Sequence, residues 1–486
     1  MSSVSGVASS GSATRALAEV LAASRYDDLS PDVIDHTKRA VMDWLGSALG
    51  GSVERPARLA QELAAGFGRS YEATVIGGGR ASAAAAAFAN GVASHILELD
   101  DVHKGSTLHA AAPIIPAALA VAERERADGR AFLAAVAIGY EAAFRIGEAV
   151  NPSHYYFFHP TGTVATFGAA AAAASLLRLD TNQTVDALGS AGTQAAALWE
   201  FNADGAMSKH LHPGKAAMNG ILAADLARVG FTGATRILEG ERGFFRAFSS
   251  SFDESRITDG LGSRWKIVEN GYKLHSCCRH THTAVDCALD LRASRGWSSD
   301  EVLREVNAIT IETYGPGYEI VKEMNPRTAY QAKFSLAYCV AAALLEGELG
   351  LEQFADDRFG AGGVRDRAIA ALLPRIRVIV ADDLTARYPA VWGARLAASL
   401  SGGAPAQAAS DHPKGNAENP VSAEELERKF TTLVGSRFGG DVARSALVAL
   451  RETEDAIDMS RVFKGLGDLG TMGLGREPRF LSPSVL

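Results

Sequence analysis

The sequence predicts a mainly α-helical protein, a large helical domain into which a smaller α+β segment is inserted. Three observations predict it. Of 486 residues, 47% are hydrophobic but only 7% aromatic, so the core is built from Ala, Leu, Val and Ile, which suits closely approaching helices better than a β-sandwich. Alanine-rich stretches with helical periodicity fill the first half, and β-branched, strand-like runs begin only after Trp265. The length exceeds the size at which one hydrophobic core stops growing, so two domains are expected.

The elements follow in order. Ser30-Pro31 opens a helix as N-cap and first-turn proline, and Gly50-Gly51 stops it. The same spacing predicts helices over 82–99, 113–124, 129–150, 163–177, 183–198 and 214–229, several of them apolar nearly all round, as interior helices are. Val306 to Tyr314 and Arg375 to Ala381 read as strands. Helices over 281–293 and 334–346 flank the first strand, compatible with packing on a short antiparallel sheet. Residues 401–410, Ser-Gly-Gly-Ala-Pro-Ala-Gln-Ala-Ala-Ser, read as a loop, and Ser422 opens another helix with a capping-box pattern. The division is therefore 1–267 with 405–486 for the helical domain and 268–404 for the α+β domain.

The formal charge of −8 and the absence of a long Lys/Arg run exclude a nucleic-acid binder. The apolar run from Ala110 to Ala122 is broken by Pro113 and Pro116 and is too short to span a bilayer, so no membrane partner is expected. Met1 to Thr14 lacks the cationic and apolar regions of a signal peptide and reads as a disordered arm, which makes a cytoplasmic protein the expectation. Cys277, Cys278, Cys287 and Cys339 contain no CxxC pair and read as packed thiols in a reducing compartment rather than a zinc or iron–sulfur site.

Titratable groups gather in stretches that otherwise read as buried, where such groups are rare unless paired or employed. Glu98, Asp100, Asp101 and His103 end a helix, where acids oppose the macrodipole, so a cleft is a better explanation than a solvated helix end. His109 opens the next helix as a base or a capping imidazole. His159-Pro-Thr161-Gly-Thr163 leads into a helix whose free amides would bind an anion, or whose threonines would cap it. Lys209, His212 and Lys215 fall in a loop before a helix at Gly214, with Lys209 as carboxylate clamp or proton carrier. Lys273 lies in the second cluster, where Arg279 offers a fork for a carboxylate and His280 or His282 a base or acid. The pairs His210/His212 and His280/His282 are the weak case for a metal, and none is expected.

These motifs, taken in order, resemble the MmgE/PrpD family. They are Glu98-Leu-Asp-Asp-Val-His103 with His109, Gly139-Tyr140-Glu141, His159-Pro-Thr-Gly-Thr163, Asn202-Ala-Asp-Gly-Ala-Met-Ser-Lys209-His-Leu-His212-Pro-Gly, Cys277-Cys-Arg-His-Thr-His282 and Pro413-Lys-Gly-Asn-Ala-Glu-Asn-Pro420. The resemblance implies an all-α domain made of both chain ends, an inserted α+β lid, a homodimer, no metal or organic cofactor, and an active site between helical domain and lid. It implies catalytic roles for an acid near Glu98 or Asp100, for His109, His159 and Lys209, and for His280 or His282. Two departures stand out: many relatives read Asp-Phe-Asp-Asp-Thr-His at the acidic motif, and Ala110-Ala111 replaces a Pro-Ser pair. The expected activity is a lyase on a small polycarboxylate, dehydration of 2-methylcitrate first, with decarboxylation of cis-aconitate or epimerisation of iminodisuccinate as alternatives. A catalytically silent organic-acid-binding protein is the reading from another class.

Overall fold

A computed structural model describes residues 12–68 and 70–470. Residues 1–11 of the expected N-terminal arm lie outside the described residues, and the helix Ala13–Ala23 begins where that arm was expected to continue, capped by Ser12. The chain divides into two compact units. One comprises Met1–Ile96, Gly105–Asn270 and Leu426–Leu486, and the other Leu97–Lys104 and Gly271–Glu425.

The first unit is built almost wholly of helices. Ser30 caps Pro31–Gly51 by accepting from the Val33 amide, and Ser82 caps Ala83–His95 in the same way. Helices Ala111–Glu125, Gly129–Val150, Val164–Leu176 and Thr181–Gly192 follow, the last ending six residues before its expected stop. Their core gathers Trp44, Phe132, Tyr140, Phe144 and Phe167 among many alanines. The first unit is not purely helical: Ala73–Val75 and Gly79–Ala81 form a hairpin, with Gly77 and Gly79 supplying the positive φ its turn requires. A second correction concerns Ser208–Arg228, which begins six residues before Gly214, so Lys209 to Lys215 lie on a helix and Pro213 sits inside it. The missing amide of Pro213 costs one bond in a helix otherwise held by packing.

The second unit centres on a four-stranded sheet ordered Ile376–Val380, Val306–Thr313, Ala394–Leu400, Ala406–Ser410. The first pairing is parallel and the other two antiparallel, so the sheet is mixed rather than antiparallel. The long crossover between the first two strands of the sequence, which includes Leu336–Glu346, permits the parallel pairing. Residues 406–410 were expected in a loop, yet they pair with Ala394–Ala398. The helical unit consequently resumes at Leu426 rather than at 405. Arg279–Arg295 and Leu336–Glu346 pack their apolar residues with Ile309, Ile311 and Leu396.

The segment 97–104 belongs to this second unit for identifiable reasons. The Leu97 carbonyl accepts from Ser276 Oγ at 2.7 Å and Lys333 Nζ at 2.8 Å. Val102 and Gly271 exchange backbone bonds of 2.9 and 3.0 Å.

Candidate active site

In the first unit, helices Ala83–His95 and Ser208–Arg228 cross through glycines. A Cβ on Gly91 would lie 2.8 Å from Gly214 Cα, and one on Gly214 would lie 2.6 Å from the Phe88 carbonyl oxygen, so neither position tolerates a side chain. His95 and His210 each sit one turn from the crossing, which brings their rings to 6.4 Å between centroids. His95 stacks on His159 at 5.5 Å and meets His109 edge-on at 5.0 Å. Gly162 lets the third element approach, because its Cβ would fall 2.9 Å from that of His212. As a result His159 Nδ1 and His212 Nδ1 are 3.1 Å apart. One must donate and the other accept, so the two rings carry opposite tautomers at these atoms.

His159 and His212, the two rings in direct contact, are buried and held neutral. Burial holds His159 well below its ordinary pKa, with His212, His95, Lys209 and His109 adding unfavourable charge. His212 is pushed down to about 3 by burial, then by His95, Lys215 and Lys209. Trp199 and Phe201 close over His159 at 5.0 and 5.9 Å. His154 Nδ1 donates to the Phe248 carbonyl at 3.0 Å, leaving Nε2 to accept from Thr163 Oγ1 at 2.8 Å. Thr161 Oγ1 accepts from the His109 amide at 3.2 Å, so both threonines of the turn are engaged. At this turn, where an anion site was expected, several amides are used within the chain. The Gly162 and Thr163 amides donate to the His159 carbonyl and the Ala165 amide to that of Pro160. Neither threonine caps the helix with its side chain.

In the second unit, Glu98 adopts φ +58°, a left-handed conformation that aims its carboxylate inward. Lys273 Nζ lies 3.4 Å from Glu98 and 4.0 Å from Asp100, all three side chains being buried. Burial lowers the lysine pKa, but the two carboxylates outweigh it and the net shift is upward. Asp101 and His103 are buried on the same segment.

Arg279 is committed differently from the expectation of an open fork. Nη1 donates to the Lys414 carbonyl at 3.0 Å, the Tyr272 carbonyl at 3.4 Å and His282 Nδ1 at 3.0 Å, while Nη2 donates to Asn416 Oδ1 at 2.6 Å. The guanidinium is a clamp on its own unit. His282 accepts from Arg279 at Nδ1, and its Nε2 donates to the Cys277 carbonyl at 3.3 Å, so both ring nitrogens are engaged within the unit. His280 Nδ1 lies 2.6 Å from Tyr314 Oη and its ring stacks on Trp392 at 4.6 Å. Burial, then Lys273, push His280 down to about 3.

Comparison with known proteins places this geometry in context. Models of the MmgE/PrpD N-terminal and C-terminal domains match residues 15–256 and 275–455. The chain belongs to the MmgE/PrpD family. Among its MmgE/PrpD relatives, cis-aconitate decarboxylase of Homo sapiens is 26% identical over 463 residues, 92% of this chain and 93% of that protein. A cis-aconitate decarboxylase-like protein of Aspergillus oryzae is 25% identical over 474 residues, 93% and 96% of the two chains. Cis-aconitate decarboxylase of Aspergillus terreus is 27% identical over 433 residues, 84% and 86%.

Within this MmgE/PrpD chain, the structure gathers His109, Thr161, His159 and His212 in one unit, with Lys209 close enough to act on two of the imidazoles. In the other unit it gathers Glu98, Asp100 and Lys273, and separately Arg279 with His282. Sequence reasoning missed His95, whose signal was a lone imidazole in an alanine-rich helix three residues before Glu98. It also missed Trp199, Tyr314 and Trp392, aromatic residues with nothing in their local pattern to mark them.

Proposed function

We propose that the protein is a cofactor-independent lyase that removes one carboxylate from cis-aconitate or a closely similar unsaturated tricarboxylate. The observation that carries this reading is the set of cis-aconitate decarboxylases matching 84–93% of the chain. It displaces dehydration of 2-methylcitrate as the leading reaction and turns the hydro-lyase expectation toward a carbon–carbon lyase. The chemistry needs a carbon–carbon bond to break, carbon dioxide to leave, and one proton to replace it on the remaining electron pair. The buried, neutral imidazole of His159 suits that task, because an arriving polyanion raises its pKa and lets it take up the proton that is then delivered, with His109 beside it to orient the substrate. Lys209 supplies a positive charge for a carboxylate. Glu98, Asp100, Asp101, His103, Lys273 and His280 of the second unit are proposed to support the same turnover, Arg279 and His282 by holding their loop in place.

Incubation with cis-aconitate, 2-methylcitrate and citrate, with carbon dioxide release and ultraviolet absorbance followed together, tests the reading. Carbon dioxide from cis-aconitate is the expected outcome. Loss of water from 2-methylcitrate with no carbon dioxide from cis-aconitate overturns it, and binding of these acids without turnover supports a silent binding protein. Dialysis against a strong chelator is expected to leave activity intact. A homodimer is likewise proposed, and sedimentation equilibrium tests it. Among the described residues no helix is long and apolar enough to cross a membrane.

A further inference from the structure

His275, a histidine of the second unit, has no role in the reading above. His275 lies in the loop between Lys273 and Arg279, with its Nε2 2.9 Å from Asp286 Oδ1. A carboxylate can only accept, so Nε2 carries the hydrogen and Nδ1 of the neutral ring holds the lone pair. Asp286 is itself fixed: its Oδ2 accepts the Lys414 amide at 2.7 Å. The imidazole is held from the backbone side as well, since the His275 carbonyl accepts the Cys277 amide at 2.8 Å. We propose that His275 and Asp286 form an acid–base dyad in which His275 Nδ1 takes up and returns a proton while Nε2–H stays bound to the carboxylate.

The arrangement reproduces the logic by which a base is oriented by a third group. The carboxylate selects the tautomer, and the Lys414 amide holds the carboxylate. The side chain of His275 is 10% exposed and that of Asp286 17%, so the dyad is neither sealed nor freely solvated, as a group that exchanges protons must be. The titratable groups around it are Asp286 and His282 from the helix Arg279–Arg295, with ring centroids of His275 and His282 4.9 Å apart, and Cys277 on its own loop, while Arg279, Cys287 and Asp290 act on Asp286. His282 has both nitrogens engaged and His280 has Nδ1 against Tyr314, which leaves His275 as the imidazole of this stretch backed by a carboxylate. A purely structural pair would place the same two residues together, so the test must read protons rather than stability.

Ring-nitrogen NMR of the full chain carrying 15N-histidine provides that reading, with the His275 signals identified by their loss in His275→Gln. The neutral ring is expected to be protonated at Nε2, and that preference is expected to weaken in Asp286→Ala, which removes the acceptor that selects it. A neutral ring protonated at Nδ1, or a tautomer preference unchanged by Asp286→Ala, overturns the dyad. The second arm rests on the proposed lyase activity. Turnover of cis-aconitate is expected to drop about 100-fold in His275→Gln, and one limb of the pH profile is expected to move in Asp286→Asn, which a merely structural pair would leave in place. Unchanged kcat and an unmoved profile in both variants overturn the catalytic use. If no tested acid is turned over by the unaltered protein, the lyase reading fails on its own, and the NMR tautomer measurement still decides the dyad.

Discussion

The imidazole cluster of the helical unit and the cationic loop of the second unit contain the same residue types, yet the structure uses them in opposite ways. Around His159 the neighbours are imidazoles and lysines, so burial and charge act together to keep the rings neutral. Around Lys273 and Arg279 each cation has been given acceptors: two carboxylates for the lysine, two carbonyls, an amide oxygen and an imidazole nitrogen for the arginine. Composition marks both regions equally. Neighbours separate a cluster of imidazoles held neutral from cations engaged by acceptors of their own unit.

The contrast breaks most visibly at the two lysines. Lys273→Met strands Glu98 and Asp100 without their counter-charge, and removal of one member of a buried ion pair typically costs about 3–5 kcal/mol. A large fall in the denaturation midpoint is the expected result. Lys209→Met removes a charge that acts unfavourably on His159 and His212, so its loss of stability is expected to be smaller than that of Lys273→Met while turnover and substrate binding weaken. Equal losses of stability in the two variants, measured by urea unfolding, would erase the distinction.

Turnover sharpens it next. His159→Gln is expected to lower kcat by about 10²–10⁴-fold with the fold intact, as removal of an acid–base group does. Arg279→Lys keeps the charge but not the planar fork, so it is expected to lower stability by about 2 kcal/mol and kcat by a smaller factor through displacement of His282 and the Lys414–Asn416 loop. A larger kcat effect from Arg279→Lys than from His159→Gln would reverse the assignment.

The pH dependence follows from the depressed imidazoles. His212 and His280 titrate at about 3 and His154 at about 4 in the folded chain, each lowered first by burial. Unfolded, they titrate near 6.5. Between these values the unfolded chain binds more protons, so stability is fully present above about pH 6.5 and is lost as pH falls toward 4 and 3. Thermal unfolding from pH 7 to 4.5 should show that decline, and His212→Phe should flatten it. A midpoint that rises on acidification contradicts the neutral cluster.

Much of this was legible in the sequence, and the exceptions have physical causes. Ser30, Ser82 and Ser422 announced their helices because a capping side chain acts within three residues. Strand 406–410 was not legible, because Ala, Gln and Ser have weak strand preference and only pairing with Ala394–Ala398 fixes them. Lys209, His159 and Lys273 were visible as charged groups in apolar surroundings. The commitment of Arg279 was not, since it depends on Lys414 and Asn416, more than a hundred residues away. His95 was hidden by the assumption that an alanine-rich helix is inert, whereas close packing through Gly91 and Gly214 is what brings its ring to the others.

The smallest effect tests how the aromatic cover over His159 is held. Lys215 donates to the Gln194 carbonyl at 3.0 Å and the Ala196 carbonyl at 2.9 Å, and burial lowers its pKa to about 8. The segment it holds continues to Ala197, whose carbonyl accepts the His159 amide at 3.3 Å, and to Trp199, whose indole nitrogen donates to Phe158 at 3.0 Å. Lys215→Met loses two bonds to a partly screened ammonium, so a cost of about 1 kcal/mol is expected. The more telling readout is Trp199 fluorescence: if the lysine positions this cover, the emission shifts and KM rises with kcat nearly unchanged. If emission and KM both stay at their original values, the cover is held by the backbone pairing of residues 157–159 with 197–199 alone, and the helix bearing Lys209 contributes to the site only through the side chains that face the imidazoles.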